Sequence, residues 1–531
     1  MSSNPRKQQR DSGRNAFLVG AGILLSRVIG MVREWTFARY FGASDAADAF
    51  KAALKIPNLL QNLFGEGALS ASFIPVYSRL LAAHDDAEAN RVARVIGSIL
   101  SLLMCILVLI GIAATPFLID VIAPGFKGAK RELTISMVRI LFPGVGILVL
   151  SAWCLAILNS HRRFFLSYAA PVLWNIPMIA ALLVFGRRTG LYPLAQYVAW
   201  GAVAGSLLQF LAQLPAALRL AGRIRLEFET VSQNVRTVVK NFLPSAASRG
   251  VNQISGYVDV ILAGFLPSGA VAALTYAQNI YLLPVSLFGM AISSAELPEM
   301  SSHLEIGEDP GKSLRERLNG ALQRVAFFVV PSVAAFLLLG DSIVALLYQS
   351  GRFTRADVNY VWLVLAGLSI GLLAATMGRL YSATFWALRD TRTPLNFAVL
   401  RVLLAAGLGW LLAFPTPAWL GLPARFGLGG LTVASGFAAW LEFYLLRSSI
   451  NRRIGKTGLP LRYLLKLFAI ALISGALAFV VARGIASLPP IPCGLIVVAV
   501  YGTLYLGFSI WMGLPQAKSV FEIVRKRLKK T

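Results

Sequence analysis

Charge is scarce in this chain of 531 residues, where Asp, Glu, Lys and Arg together make up 14%. Soluble globular domains carry about 25%. Acid is scarcer still, with 24 Asp and Glu against 50 Lys and Arg. There are three cysteines, and Cys105, Cys154 and Cys493 all lie in apolar runs. They read as small buried hydrophobes, which leaves no disulfide framework. The three histidines, His84, His161 and His303, fall in predicted loops without metal-ligand spacing, so no metal is expected. Long polar connections are missing too, which leaves no room for an extramembrane domain.

What is present is apolar: 57% of residues are hydrophobic. The runs are about 20 residues long and do not alternate, so they predict membrane-spanning helices and not an outer-membrane barrel. The expected class is an all-α polytopic membrane protein. Residues 1–15, "MSSNPRKQQRDSGRN", are polar and basic, and no small-residue cleavage site follows, so a disordered cytoplasmic tail is expected there.

Fourteen apolar segments can be counted. An even number puts both termini on one side. Alternate connections and the two tails then hold 31 Lys and Arg, against 9 on the other side. That bias orients both termini to the cytoplasm and accounts for the net charge of +26 without nucleic acid. The tail at 516–531, with "VRKRLKKT", is expected to touch anionic lipid.

The chain also repeats itself. "NLFGEGALSASFIP" at 62–75 resembles "SLFGMAISSAELP" at 286–298, aligning Phe64-Gly65 with Phe288-Gly289. "VIAPGFK" at 121–127 aligns with "LYQSGRF" at 347–353, and "AILNSHRRF" at 156–164 with "WALRDTRTP" at 386–394, pairing Arg162 with Arg392. Six spans separate the copies, so the repeat is parallel. Such halves place a transport site between two lobes near the midplane. The organisation expected is a first lobe at 16–220, a second at 221–450 and an added helix pair at 451–515.

The remaining charges sit where they are costly. Placing one near the bilayer centre costs about 2.5–3.5 kcal/mol on insertion scales, and such residues mark pathways and sites. The first span contains "SRVIGMVREW" (26–35). At 100° per residue, Arg27 and Glu34 lie within about 20° of one another, with Arg33 about 120° from Arg27. The second span carries Asp48, Lys51 and Lys55 on one stripe, continued by Asn62 and Glu66. Two structural alternatives stand beside a cavity lining: Arg–Glu neutralisation or snorkelling in the first span, and pairing of Asp48 with a first-span arginine. The second half holds Asp259, Asn279, Arg401 and Glu442. The cationic lining therefore belongs to the N-terminal half, and arginine suits a phosphate-like anion. The connections hold neither a carboxylate cluster nor a nucleophile constellation, so no enzyme is expected.

Taken together, "SRVIGMVRE", "FGASDAADAF", "KIPNLLQNLFGEGALSASFIPVY", "VIAPGF", "LYQSGRFT" and "ALRDTRTP" resemble the MurJ (MviN) family. These are lipid II flippases of the multidrug/oligosaccharidyl-lipid/polysaccharide exporter superfamily. The resemblance implies two six-helix lobes around a central cavity, and a polyprenyl-tail groove on the extra helix pair. It implies movement of an undecaprenyl-pyrophosphate-linked disaccharide-pentapeptide to the outer leaflet of the cytoplasmic membrane. Arg27 and Arg33 match the family's essential first-span arginines, Glu34 stands where an aspartate is usual, and Asp48 matches a functional aspartate. Pro57 and Asn58 match its Pro-Asn pair. Gln61 and Asn279 stand where the family has arginine. With Lys51, Lys55 and Glu66, these are the expected substrate-binding residues. Some members hold sodium between spans 7, 11 and 12. Here Asp259 and Asn396 are available, but Arg401 occupies the place of a second acid, so no cofactor is expected and the membrane potential is the expected energy source. Arg401 is expected to pair with Asp259 or Glu442. The neutral substitutions keep a second glycan substrate open, whereas a drug or cation antiporter would favour an acidic cavity. A monomer is expected, in membrane lipid and in reach of the cell-wall synthesis machinery.

Overall fold

A computed structural model describes residues 5–222, 227, 232–306, 310–519 and 522. Arg223, Arg225 and most of the basic tail expected at 516–531 lie outside the described residues. The fold comprises two compact units, Met1–Val271 and Ala272–Thr531. Among the described residues every regular element is helical.

The first unit contains α1 (Pro5–Phe41), α2 (Asp45–Phe64), α3 (Glu66–Ala82), α4 (Asp86–Ile122) and α5 (Gly128–Ser160). It continues with α6 (Phe164–Ala169), α7 (Pro171–Phe185), α8 (Leu191–Ala221) and α9 (Gln233–Gly264). α10 (Ala270–Pro284) straddles the division, and a π-helical turn, Val285–Met290, joins it to α11 (Ala291–Ile306). The second unit continues through α12 (Pro310–Leu338), α13 (Gly340–Tyr348), α14 (Arg355–Ala387), α15 (Arg392–Ala413) and α16 (Pro415–Trp419). α17 (Gly427–Ile454), α18 (Leu461–Gly484) and α19 (Pro490–Trp511) complete it.

Among the described residues, eleven helical stretches are long and apolar enough to cross a membrane. The other three of the fourteen expected segments fall on α1, on α2 with α3, and on α9, and all three are helical. Helix α2 is broken from α3 at Gly65, and α9 carries polar and charged residues through its length.

Several local expectations change. Helix α1 begins at Pro5, so helix extends into the segment expected to be a disordered tail; proline is tolerated in a first turn, where its missing N–H costs nothing. His303 lies within α11 and not in a loop. Cys154 is buried, but Cys105 is exposed on α4. The compact units divide at 271/272 and not at 220/221. The reason is α9, whose Val235 and Val238 join the core of α3, α4, α5 and α8. Phe242 stacks on Phe64 at 6.0 Å, and the Tyr257 hydroxyl donates to the Lys55 carbonyl at 2.7 Å.

The repeat is visible in the helix irregularities. Gly65 breaks α2 from α3, and the matching Gly289 sits in the π-helical turn. A Cβ at Gly65 would lie 2.3 Å from the Gln61 carbonyl oxygen, so the break requires glycine. The ends of α5 and α14 are closed alike. Arg163 N donates to Leu158 O (2.8 Å) and Arg162 N to Asn159 O (3.0 Å). Asp390 N donates to Phe385 O and Arg389 N to Trp386 O, both at 2.9 Å. Both are Schellman closures, with Arg162 at φ 59° and Arg389 at φ 60°. Structurally, therefore, Arg162 pairs with Arg389, not with Arg392 as the sequence alignment suggested.

The added helices α18 and α19 pack on α12 and α13 in the second unit. Tyr501 and Tyr505 of α19 donate their hydroxyls to the carbonyls of Pro331 and Phe327, each at 2.7 Å. The Phe327 carbonyl is the acceptor that Pro331, which has no N–H, leaves without its intrahelical donor.

Candidate functional site

The charged residues of α1 and α2 form a network inside the first unit. Ser44 caps α2 by accepting from Ala47 N, and Asp45 and Asp48 occupy its positive first turn. One turn further on, Lys51 donates to Glu34 Oε2 at 2.6 Å. Arg33 donates through Nη2 to Glu34 Oε1 at 2.7 Å and through Nη1 to Asn175 Oδ1 at 3.0 Å. Its guanidinium also lies 5.0 Å from the Trp174 ring centroid, and Lys51 Nζ lies 4.3 Å from that of Phe37. One carboxylate thus holds two cations, and the group retains one net positive charge.

Burial gives this arrangement its weight. The side chains of Lys51, Glu34 and Arg33 are 5%, 13% and 20% exposed. Charges so far from water persist only when paired and hydrogen-bonded. Asn175 is itself held by donating to the Pro171 carbonyl at 3.0 Å. The least covered member is the guanidinium, whose flat fork suits a phosphate-type anion.

Beside this network lies a polar cavity of about 450 Å³. Gln61, Asn62, Glu66 and Ser70 line it from α2 and α3, Ser151 from α5, Trp174 from α7 and Gln209 from α8. Trp174 is common to network and cavity. Ser151 donates to Gln213 Oε1 at 2.6 Å and accepts from Gln209 Nε2 at 3.0 Å. Asn58 lines a smaller neighbouring pocket with Pro57 and Trp174.

The expected site residues therefore separate into groups. Arg33, Glu34 and Lys51 meet in the network, while Gln61 and Glu66 line the cavity. Arg27 is exposed on α1, and the bonds to Glu34 described above come from Arg33 and Lys51, although helical phase aligned Arg27 with Glu34. Asp48 is directed toward α5 and the turn before α10. It accepts from Lys130 Nζ at 2.7 Å and Gly269 N at 2.8 Å, and is 1% exposed. Lys130 also reaches Asp45 at 2.8 Å. A Cβ at Gly269 would approach the Ala43 carbonyl oxygen to 2.4 Å, which explains glycine in that tight crossing. Lys55 is half-buried on α2 with Asp259 of α9 as its nearest opposing charge.

In the second unit Asn279 is half-buried on α10. Arg401 Nε lies 3.1 Å from Glu442 Oε2, so the α15 cation is paired with the α17 carboxylate. Glu442 is one of the two partners expected for it. Sequence reasoning missed Lys130, Trp174, Asn175, Ser151, Gln209 and Gln213. The available signal was the amides within otherwise apolar helices, as in "PVLWNIPMIAALLVF".

The family described as Lipid II flippase MurJ matches residues 37–488. A probable lipid II flippase MurJ of Rhizobium tropici is 33% identical over 82% of this chain and 80% of its own. The lipid II flippase MurJ of Burkholderia cenocepacia is 28% identical over 83% of this chain and 84% of its own. Among solved structures, a lipid II flippase MurJ in an inward closed conformation matches with a TM-score of 0.74 at 24% identity, covering 93% of this chain and 98% of that one. An inward-facing multidrug resistance MATE family transporter of the MOP superfamily matches at 0.64 and 19% identity, over 81% of this chain and 98% of that one. These two likenesses give the fold, and the match over 37–488 with the 33% identical relative gives the family: the chain belongs to the MurJ family of lipid II flippases.

Proposed function

We propose that this chain moves lipid II, an undecaprenyl-pyrophosphate-linked disaccharide-pentapeptide, from the inner to the outer leaflet of the cytoplasmic membrane by alternating access. The observation that carries the reading is the Arg33–Glu34–Lys51 network with its one net positive charge, set among helices otherwise apolar enough to span a membrane. Arg33 meets the pyrophosphate, with Arg27 nearer the surface as a first contact. Glu34 keeps the two cations together while the site is empty. The chemistry is binding and release, with no bond made or broken, so the protein is a transporter and not an enzyme.

Both termini lie in the cytoplasm, supported by the 31 to 9 distribution of Lys and Arg. The polyprenyl tail stays in lipid or against α18 and α19, whose faces carry exposed Leu465, Ile473, Val480 and Leu495. Arg401 serves as a built-in cation beside Glu442, so transport needs no sodium and draws on the membrane potential, about 2.3 kcal/mol per charge per 100 mV. The protein works as a monomer, in reach of the enzymes that polymerise its product.

The test is rescue of cells depleted of their own flippase, scored by lipid II accessibility at the outer leaflet. The native chain should restore growth and accessibility. Arg33→Ala and Arg27→Ala should abolish both with the protein still in the membrane. Normal growth of both variants would sink these roles. One feature favours a second reading, a different polyprenyl-linked glycan: Gln61 and Asn279 are neutral where the family resemblance leads one to expect arginine. Failure of the native chain to rescue, with transport of another lipid-linked glycan intact, would select that reading.

A further inference from the structure

The polar cavity of the first unit is chemically unlike the network beside it. Beside a few aliphatic side chains such as Leu148 and Leu155, it is lined by three amides (Gln61, Asn62, Gln209), two hydroxyls (Ser70, Ser151), one carboxylate (Glu66) and one indole (Trp174). Among the described residues no cation lines it, and its donors and acceptors are neutral apart from Glu66. It is too polar for a hydrocarbon tail. We propose that this cavity is a carbohydrate subsite, which takes the amino-sugar headgroup while Arg33 takes the adjoining pyrophosphate, with Trp174 between them; this rests on the flippase reading above.

Amides, hydroxyls and a carboxylate offer donors and acceptors together, which is what ring hydroxyls and acetamido groups require. An indole offers an apolar platform for the C–H face of a sugar ring. The volume, about 450 Å³, falls within the roughly 300–1,000 Å³ of small-molecule sites.

The cost of the cavity also implies a ligand. Polar side chains in membrane-spanning helices are expensive unless they serve a pathway or a site. Ser151 is 1% exposed and Gln213 is fully buried. The Nε2 of Gln213 has no protein partner. These groups fix Gln209 through its Nε2, leaving its Oε1 to accept from a ligand hydroxyl. Such a network stiffens the cavity wall at the expense of stability, which a purely structural helix contact does not need.

The position of the two subsites matches the chemistry of the ligand. In a polyprenyl-pyrophosphate sugar, the pyrophosphate is joined directly to the anomeric carbon of the first sugar. Trp174 lies 5.0 Å from the Arg33 guanidinium and lines the cavity as well. A headgroup held at both subsites passes this ring where anion gives way to sugar. Gln61 suits the assignment, since an amide both donates and accepts where an arginine would only donate.

The experiment uses the full chain in lipid nanodiscs. Binding of undecaprenyl pyrophosphate is compared with binding of the same lipid carrying its disaccharide-pentapeptide. Gln209→Leu and Gln61→Leu should weaken the glycan-bearing lipid about tenfold each, near one buried hydrogen bond, and leave the bare pyrophosphate lipid unchanged. Arg33→Ala should weaken both. Since Gln209→Leu also removes a partner of Ser151, Gln61→Leu serves as the variant outside that network. If both variants bind the two lipids as the native chain does, or lose both equally, the carbohydrate subsite is wrong and the flippase reading stands. If the native chain binds neither lipid, the flippase reading itself falls.

Discussion

The two units begin from one repeated pattern and bury charge to different depths. Both contain a glycine at an irregularity in a long helix, Gly65 in one and Gly289 in the other. Both close a long helix with an arginine in the left-handed region, Arg162 and Arg389. In the first unit Arg33 and Lys51 share Glu34, beside a polar cavity. In the second, Arg401 pairs with Glu442, and Arg379 is a second cation acting on the same carboxylate. The difference is cover: Lys51 and Glu34 are 5% and 13% exposed, whereas Arg401 is 32% exposed. A duplicated scaffold has thus kept its backbone punctuation, while one copy holds its shared carboxylate and cations deeper than the other and sets them beside a polar cavity.

The sharpest way to break that comparison is to remove Glu34. Glu34→Leu leaves Arg33 and Lys51 buried without their shared carboxylate, and breaking such a buried pair costs about 3–5 kcal/mol. The expected outcome is a large fall in melting temperature and loss of transport. Restoring charge balance with Glu34→Leu plus Lys51→Met should recover stability but not transport. If Glu34→Leu melts like the native protein, the network does not hold the unit together.

The next effect probes a likeness. Each unit packs one helix pair through glycine. A Cβ at Gly205 of α8 would lie 2.3 Å from the Trp174 carbonyl oxygen, and one at Gly371 of α14 would lie 2.6 Å from Gly436 Cα in α17. Both neighbours are backbone and cannot turn aside. Gly205→Ala and Gly371→Ala should each cost about 1–3 kcal/mol through overpacking. In addition, only Gly205→Ala should weaken substrate binding, because it pushes on the segment carrying Trp174. Equal binding losses would erase the functional asymmetry of the units.

Much of the fold was readable in the sequence because its causes are local. Run length and low charge sufficed for helical spans, and the repeat stood out in short motifs such as Phe64-Gly65 and Phe288-Gly289. The site was readable only in part. Helical phase placed Arg27 with Glu34 on ideal geometry, yet Arg33, the immediate sequence neighbour, makes the ion pair. A guanidinium on a long stem departs from its helical phase when a neighbour rewards it, and here Asn175 and Trp174 of α7 do so. Those partners are 142 and 141 positions from Arg33 in sequence, and no single-sequence pattern encodes that pairing. Asp48 teaches the same lesson: its charge marked it as important, but its partner Lys130 sat in a stretch read as a connection.

A smaller effect is expected from the second unit's pair. Arg401 is 32% exposed and Glu442 17%, so the pair is nearer to the surface class than the α1–α2 network. Arg401→Ala should cost about 1 kcal/mol. Arg401→Leu with Glu442→Leu should cost less than Glu442→Leu alone, which leaves both Arg401 and Arg379 without their carboxylate. Transport in sodium-free medium should be normal in the native chain and reduced in Arg401→Ala. If Arg401→Ala alters neither stability nor transport, the built-in cation has no role.

The smallest effect separates the two matched turns by pH. In the first unit the turn carries His161, whose Nε2 lies 3.1 Å from the Tyr77 hydroxyl. Burial pushes its pKa below the usual 6.5, with Arg163 adding to the shift and Asp86 opposing it. In the second unit the turn carries Asp390, held down to about 2 chiefly by the backbone N–H of Thr393, then by its hydroxyl and by Arg453. The signs differ in window. The unfolded chain protonates His161 more readily than the folded one, so its contribution is complete above about pH 6.5 and declines as pH falls below that. Asp390 contributes above its unfolded value of 3.8, and its contribution declines only as pH drops from there toward 2. Between pH 7 and 5 only the first unit's turn should respond. Melting curves of the native protein should therefore show a small loss over that range that His161→Gln removes and Asp390→Asn does not. An Asp390→Asn variant that flattened the same window would show that the two turns share one titration.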